Sequence, residues 1–334
     1  MWEQFLQEGA LFGSREGDVI LGFPPFEWRE TPSAFSFYAS DFFLENKKPF
    51  LQPKEIVRMR KEQFLQQVPP QISVEPLSWV MDSDELFQKH FANLQQKIKN
   101  GILVKGVPYS AVRANQPISA SHLSHFFSRY AQSSATLFGF WNAHEGIIGL
   151  TPERLFKKSG SKIESEAIAG TMSRSHLSVE AFLNDPKEQK EHAIVVNAIC
   201  DSLEAYGQVK VAPTEALHLR VLVHQRTGIT LEGDVGVETL IHALHPTPAI
   251  GAFPKTAGLE WLKEVAVDIP RGRFGAPFGW VEEDFAEIVV AIRAIQWDTA
   301  GSRIFAGAGV VAESVVVNEW NEIKRKIESV SNGY

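Results

Sequence analysis

The order of the predicted elements constrains the fold more than any other feature of the sequence. Short strands are predicted within residues 1–50, at 102–112 and 136–169, and again at 287–306. Helices are predicted at 54–67, 82–100, 185–203, 235–244, 257–265 and 316–330. Strands that cluster in this way, rather than alternating one by one with helices, favour an α+β fold over a doubly wound sheet. We find no internal repeat or linker, so residues 1–334 are expected to form a single domain.

The charge balance restricts the class of partner. The chain has 40 acidic and 33 basic residues, a net charge of −7 and no basic cluster, which argues against nucleic acid or an anionic membrane as the main partner. No apolar run approaches the ~20 residues of a membrane span. The first residues lack the basic and apolar segments of a signal peptide, and the single Cys200 rules out an internal disulfide. We therefore expect a cytoplasmic protein.

The segment DPKEQKEHAIVVNAICDSL, residues 185–203, carries the clearest helix signal. Asp185 suits the N-cap, a proline follows it, and Glu188 falls at the third helical position, so a capping box is predicted. Apolar residues then recur every four positions, at Val195, Ile199 and Leu203. Glu191 lies at the edge of this stripe, where a carboxylate needs a partner.

The last predicted helix carries an apolar stripe with three charged residues along one flank: Glu319, Glu322 and Lys326. The ordinary interpretation is a solvated charge cluster. The alternative places these carboxylates at the rim of a cleft, opposite Glu191. Oxygen ligands of this kind suit Mg²⁺ better than zinc, because the sequence offers no cysteine or histidine cluster.

Three other charged residues lie in apolar or turn-rich surroundings, and each has two interpretations. Lys105 in GILVKGVPYS is either a solvated lysine on a strand or a functional group. Glu153 in TPERLF precedes an arginine, which favours a salt-bridged surface glutamate. Arg293 in IVVAIRAIQW requires an anion, either an internal carboxylate or that of a substrate.

The stretch FAGAGVVAES contains G-x-G-x-x-A after a predicted strand. A dinucleotide site is excluded because too little chain follows for a complete βαβ unit. Two glycines after a strand still let the backbone approach a small anion closely.

Seven motifs occur in the order found in chorismate-utilising enzymes: TPERLF, SEAIAGT, KEQKEH, ALHPTPAIGAFP, VVAIRA, FAGAGVVAES and NEWNEIKRK. Through them, residues 90–330 resemble that family, which includes anthranilate synthase large subunits, aminodeoxychorismate synthase, isochorismate synthase and salicylate synthase. The resemblance implies one domain of large antiparallel β-sheets flanked by helices, with the active site between them.

Four positions make the chain most similar to isochorismate synthase. Ala169 stands where aminodeoxychorismate synthases carry a nucleophilic lysine, and Lys105 stands where the aminating members have glutamine. The stretch HPTPAIGAFP resembles isochorismate synthases, and Ala249 replaces the threonine of salicylate synthases. The resemblance implies a Mg²⁺-dependent isomerisation of chorismate, in which water adds at C2 and the C4 hydroxyl leaves.

The resemblance also implies the roles of individual residues. Lys105 would be the general base, with Lys97 or Lys99 as alternatives, and Glu153 the general acid. Glu191 and Glu322 would bind Mg²⁺ directly, and Glu319 would help through water. Substrate contacts would come from Ala169, Gly170, Thr171, His245, Thr247, Arg293, Gly307, Ala308, Gly309 and Lys326.

Two other functions stay open. One is salicylate synthase, which also eliminates pyruvate, and the other is a catalytically silent chorismate-binding protein. We expect no obligate glutamine amidotransferase subunit and a monomer. The sequence leaves open whether the product feeds menaquinone, a siderophore or salicylate.

Overall fold

The computed structural model describes residues 2–68, 76–173, 178–218 and 222–332. The helices are α1 (Trp2–Gln7), α2 (Lys61–Gln67), α3 (Asp84–Lys99), α4 (Ala120–Tyr130), α5 (Val179–Leu183), α6 (Pro186–Glu204), α7 (Val237–Leu244), α8 (Lys255–Asp268) and α9 (Val316–Ser331). The strands are β1 (Gly9–Gly13), β2 (Asp18–Arg29), β3 (Ser36–Ala39), β4 (Phe50–Arg60), β5 (Val80–Met81), β6 (Lys105–Gly106), β7 (Tyr109–Ala114), β8 (Thr136–Trp141), β9 (Gly146–Thr151), β10 (Arg154–Ser159), β11 (Lys162–Ser173), β12 (Val209–Val211), β13 (Glu215–His218), β14 (Leu222–Glu232), β15 (Ala252–Phe253), β16 (Pro277–Glu282), β17 (Phe285–Val290), β18 (Ala294–Asp298) and β19 (Gly301–Gly307).

Among these residues, 17 strands form one antiparallel sheet, and β6 pairs with β15 in a separate two-stranded sheet. The sheet curls, so that both of its faces are buried. In β8, Leu137 packs in the large core that includes the helices, whereas the next residue, Phe138, packs against Phe12 and Phe278 of other strands. This alternation follows from the period of two in a strand. The predicted α+β fold with a large antiparallel sheet is confirmed.

Strands from the first 60 residues belong to this same sheet. β1 pairs with both β2 and β8, and β3 pairs with both β4 and β16. None of the helices within the described ranges is both long and apolar enough to cross a bilayer.

Two predicted elements differ in the structure. The helix predicted at 54–67 is wrong over its first half, because β4 continues to Arg60 in register with β2 and only Lys61–Gln67 is helical. The strand predicted at 287–297 is two strands, β17 and β18, separated where Arg293 adopts a φ of 55°. In β4, pairing with β2 overrides the local helical pattern. In the segment 287–297, the left-handed backbone at Arg293 divides the predicted strand.

The buried stripe predicted for the segment 185–203 is confirmed, because Val195, Ile199 and Leu203 of α6 are buried. Asp185 caps the helix by accepting hydrogen bonds from the amides of Lys187 (2.9 Å) and Glu188 (3.0 Å). The capping box is wrong, however. The Glu188 carboxylate turns away from the cap and accepts the amide of Thr171 at 2.9 Å.

Candidate active site

A cleft that opens to solvent lies between α6, α9 and the strands β6, β11 and β19. Most of the residues proposed from the sequence meet there: Lys105, Glu153, Ala169, Gly170, Thr171, Glu191, Arg293, Gly307, Gly309, Glu322 and Lys326. These residues come from distant parts of the chain, so the cleft exists only in the folded sheet. The strand β11 bulges between Ala169 and Thr171, where Gly170 has a φ of 75°.

Lys105 is buried in the cleft wall, with an exposed fraction of only 1%. Its Nζ lies 2.9 Å from Oε1 of Glu191. A Cβ at position 309 would lie 2.1 Å from the same Glu191 oxygen, so only glycine leaves room for this pair. The interpretation of Lys105 as a solvated lysine is therefore wrong. Lys97 instead faces Glu264 on α8 at 3.5 Å, and Lys99 is exposed at the end of α3.

Glu153 lies between β9 and β10 and has an exposed fraction of 5%. Burial, and secondarily the charge of Glu166, raises the pKa of its carboxyl to about 7. Arg154 forms its ion pairs with Glu16 and Glu287, at 2.8 Å each, rather than with Glu153. The interpretation as a salt-bridged surface glutamate is wrong, and the carboxyl faces the cleft.

Carboxylates of α6 and α9 face one another beside the cleft. Burial raises the pKa of Glu188 to about 7, and the neighbouring charge of Glu191 adds to this effect. Burial and the charge of Glu322 likewise raise the pKa of Glu319. The solvated cluster expected on the last helix is therefore wrong, because Glu319 is buried and Glu322 has a side-chain exposure of only 16%.

Each of these carboxylates lies beside a lysine. Glu319 is 3.2 Å from Lys187, and Glu322 is 2.7 Å from Lys326. Accordingly, no three histidine, cysteine or acidic side chains in the described ranges already form a metal-binding group. The donor set nevertheless fits Mg²⁺ chemically, because it consists of carboxylates that repel one another, and a hard cation relieves that repulsion.

Two cations, Arg293 and Lys326, also line the cleft next to α9. Nη1 of Arg293 donates to Oγ of Ser329 at 2.6 Å, and within the described residues this arginine forms no ion pair with a carboxylate. Burial lowers the pKa of its guanidinium to about 10, so it stays charged at neutral pH. Lys326 donates to the carbonyl of Gly307 at 2.8 Å. The only internal carboxylate whose charge acts on Arg293 within the described ranges is Glu322, and it forms no close ion pair with the guanidinium. This cation can therefore also bind an anionic ligand in the cleft.

Four proposed residues lie outside the cleft lining. His245 is buried and its Nε2 donates to the carbonyl of Phe42 at 2.7 Å, and the hydroxyl of Thr247 accepts the amide of Ala249 within a turn. Their expected place in the ring pocket is therefore wrong, because the turn presents Ala249 and Ile250 to the cleft instead. Ala308 is fully buried between two lining glycines. Glu319 lies behind the lining, beside Lys187.

The sequence did not single out several other lining residues. His224 is buried against the bulge of β11, where Nδ1 lies 3.1 Å from the Gly170 carbonyl. Burial lowers its pKa to about 3, so this imidazole is neutral. Phe274 and Phe305 stack with their centroids 5.5 Å apart and form an apolar wall. A partly apolar ligand with an anionic group would fit between this wall and the cations of the cleft.

Comparisons with known proteins identify the family and the fold. A family model described as "Chorismate binding enzyme" matches residues 39–333. The chain is 31% identical over 214 residues to the salicylate biosynthesis isochorismate synthase of Pseudomonas aeruginosa, covering 60% of this chain and 44% of that enzyme. It is 30% identical over 209 residues to the isochorismate synthase MenF of Bacillus subtilis, covering 59% and 44%. The matched part of the chain thus spans less than half the length of these two relatives.

Among solved structures, the menaquinone-specific isochorismate synthase MenF of Escherichia coli superimposes with a TM-score of 0.81 at 18% identity. The match covers 98% of this chain and 89% of that one. At this identity, the comparison establishes the fold.

Proposed function

Because this chain belongs to the chorismate-binding enzyme family, we propose that it converts chorismate into isochorismate. The observation that carries the proposal is the pair of buried groups in one cleft, Lys105 and Glu153. A lysine is present where ammonia-using members have glutamine, so water is the nucleophile. A carboxyl with a pKa of about 7 is still partly protonated at neutral pH, and its protonated form can donate a proton.

The proposed reaction needs one proton acceptor and one proton donor. Lys105, in its neutral form, accepts a proton from water while the water oxygen bonds to C2 of the ring. The ring double bonds shift, the bond from C4 to its hydroxyl breaks, and Glu153 donates a proton so that water leaves. The balance is one water added and one water lost.

Substrate orientation follows from the charge distribution of the cleft. We propose that Arg293 and Lys326, with the backbone at Gly307 and Gly309, bind the side-chain carboxylate of chorismate. The stacked rings of Phe274 and Phe305 provide an apolar surface for one face of the substrate ring. This placement would leave the ring carboxylate toward Glu191 of α6, one of the proposed metal ligands.

We propose Mg²⁺ as the cofactor, held by Glu191 and Glu322 and, through water, by Glu319. When bound, the ion would offset the charge of the substrate's ring carboxylate. The carboxylates contact lysines in this structure, so these side chains would have to exchange lysine for metal. Because the proposed nucleophile is water, no amidotransferase subunit is needed. The monomeric state and the cytoplasmic location stay predictions.

Incubating the purified protein with chorismate, with and without Mg²⁺, tests the proposal when the products are separated by chromatography. A Mg²⁺-dependent mixture of chorismate and isochorismate is expected. Salicylate with pyruvate would instead identify a salicylate synthase. Unchanged chorismate with measurable binding would indicate a silent binding protein. The pathway that uses the product would have to be read from neighbouring genes.

A further inference from the structure

The turn between β1 and β2, residues 14–17, reaches across the sheet to the segment that carries Glu153. Nη1 and Nη2 of Arg15 bind both oxygens of Glu166, at 3.0 and 2.5 Å. The same Nη2 donates to the carbonyl of Pro152, the residue before Glu153. Arg15 and Glu166 are nearly buried, with side-chain exposures of 17% and 9%, so water screens this pair weakly.

Glu166 also contacts the backbone on the C-terminal side of Glu153. Its Oε1 accepts the amide of Arg154, the residue after Glu153, at 2.8 Å. The next residue of the turn, Glu16, binds the Arg154 guanidinium at 2.8 Å. The peptide units on both sides of Glu153 are therefore held by one ion pair. The contacts of Arg15 and Glu16 join residues more than 130 positions apart, and they do not continue the hydrogen-bond ladder of the sheet.

We propose that Arg15 and Glu166 are positioning residues for Glu153 and fix the direction in which its carboxyl meets the substrate. This inference rests on the proposed function, in which Glu153 donates the proton to the departing hydroxyl. A proton donor must lie within hydrogen-bond reach of its acceptor, and small displacements reduce the rate strongly. Neither residue lines the cleft within the described ranges, so they act through the backbone and the local field.

The two members of the pair affect the proton of Glu153 in opposite directions. The charged groups that face this carboxyl are Glu166 on β11, Lys105 on β6, Lys326 on α9 and Arg15 in the turn. Glu166 raises the pKa of Glu153, and the three cations lower it. Removal of either residue should therefore disturb the position of the Glu153 carboxyl, whereas the pKa of this carboxyl should fall without Glu166 and rise without Arg15. A merely structural pair would not produce this combination.

The test compares Arg15→Met and Glu166→Gln with the unmodified enzyme across a range of pH. Both variants should lose about tenfold or more in kcat, with KM changing much less. The alkaline limb of the rate profile should move to lower pH in Glu166→Gln and to higher pH in Arg15→Met, by roughly one pH unit in each case. Matched controls are Arg58→Met and Glu282→Gln, which break another long-range Arg–Glu pair of the sheet. This pair joins β4 to the end of β16, whereas Glu153 lies between β9 and β10.

Thermal unfolding shows whether each variant is folded. Titration of the Glu153 carboxyl by ¹³C NMR, assigned with Glu153→Gln, gives a readout that does not depend on turnover. If the unmodified protein fails to convert chorismate, the proposed function is wrong, and the NMR shifts still decide whether the pair controls Glu153. Unchanged kcat, an unchanged profile or shifts of the same sign in both folded variants would overturn the inference.

Discussion

At the scale of single residues, the environment gives Lys105 and Glu153 different tasks although both are buried. Lys105 lies beside the Glu191 carboxylate, whereas Glu166 is the anion that acts on Glu153. Burial and the charge of Glu166 both favour the protonated form of the Glu153 carboxyl. The roles of the two residues can be tested separately.

Replacing Lys105 by alanine should reduce kcat by about 100-fold or more, because general base catalysis typically contributes that much. Binding of chorismate, measured by calorimetry, should persist, since Arg293 and the glycine backbone stay in place. Lys97→Ala is the matched control, because this lysine pairs with Glu264 on the outside of α3. Full activity of Lys105→Ala, or loss of activity in the control, would show that the base is misassigned.

The pKa of Glu153 predicts the pH dependence of the reaction. Its folded value of about 7 exceeds the ordinary value of 4.5, so the protonated, donating form is lost as the pH rises through 7. We expect kcat to fall above that pH in a rate profile of the unmodified enzyme, and Glu153→Gln to be nearly inactive at every pH. The same shift predicts that this group's contribution to stability, complete below pH 4.5, is lost as the pH rises through 7. A profile flat across neutral pH would contradict the assignment.

Most charged residues of the cleft could be predicted from the sequence, because they lie in recognisable motifs and a charged residue within an apolar segment needs a partner or a function. Phe274, Phe305 and Ile168 could not, since an apolar residue that lines a cleft has the same pattern as one in the core. His245 and Thr247 precede the residues that line the cleft in the same segment. Their backbone turn presents the following residues, Ala249 and Ile250, to the cleft.

At the scale of elements, the site depends on how α6 and α9 begin and which face they bury. The capped start of α6 fixes the direction of the helix, and its buried stripe turns Glu191 toward β6. The helix was predictable because its period and its cap are local. By contrast, the register of β4 depends on pairing with β2, so the local sequence suggested a helix there.

Replacing Asp185 by alanine should lower the free energy of unfolding by about 1 kcal/mol, because two amides at the start of α6 lose their acceptor. Urea denaturation measures this change. Asp185→Asn should retain most of the stability, since asparagine caps helices about as well. The alanine variant should also bind chorismate more weakly, because Glu188 and Thr171 lie next to the cap. Equal midpoints for both variants would show that the cap contributes nothing.

At the scale of the whole molecule, the curled sheet brings together cleft residues that are far apart in sequence. β6 carries Lys105, and β19 with the residues after it supplies Gly307 and Gly309, which face α9 and α6. No local pattern predicts such pairings, and only the resemblance to a family placed these residues in one site. The first 60 residues are as integral as the others, since they supply Arg15 and also Phe12, Phe35 and Phe37 of the core around Phe138.

Because α6 and α9 bring the proposed metal ligands together, we expect Mg²⁺ to stabilise the whole fold. Mg²⁺ bound by Glu191 and Glu322 should stabilise the fold by about 2.7 kcal/mol at roughly 100 times its dissociation constant, because it binds only the folded chain. Thermal unfolding should therefore shift upward with Mg²⁺, and chelation should reverse the shift together with turnover. Glu191→Gln and Glu322→Gln should lose the shift.

The control for this response is Glu313→Gln. Glu313 also pairs with a lysine of α6, Lys190 at 2.5 Å, but half of each side chain is exposed and the pair lies away from the cleft. This variant should keep the full Mg²⁺ shift, because a surface ion pair contributes little and supplies no ligand. If Mg²⁺ stabilises all three variants alike, the ion binds elsewhere. In that case the Glu191–Lys105 and Glu322–Lys326 ion pairs persist in the active enzyme.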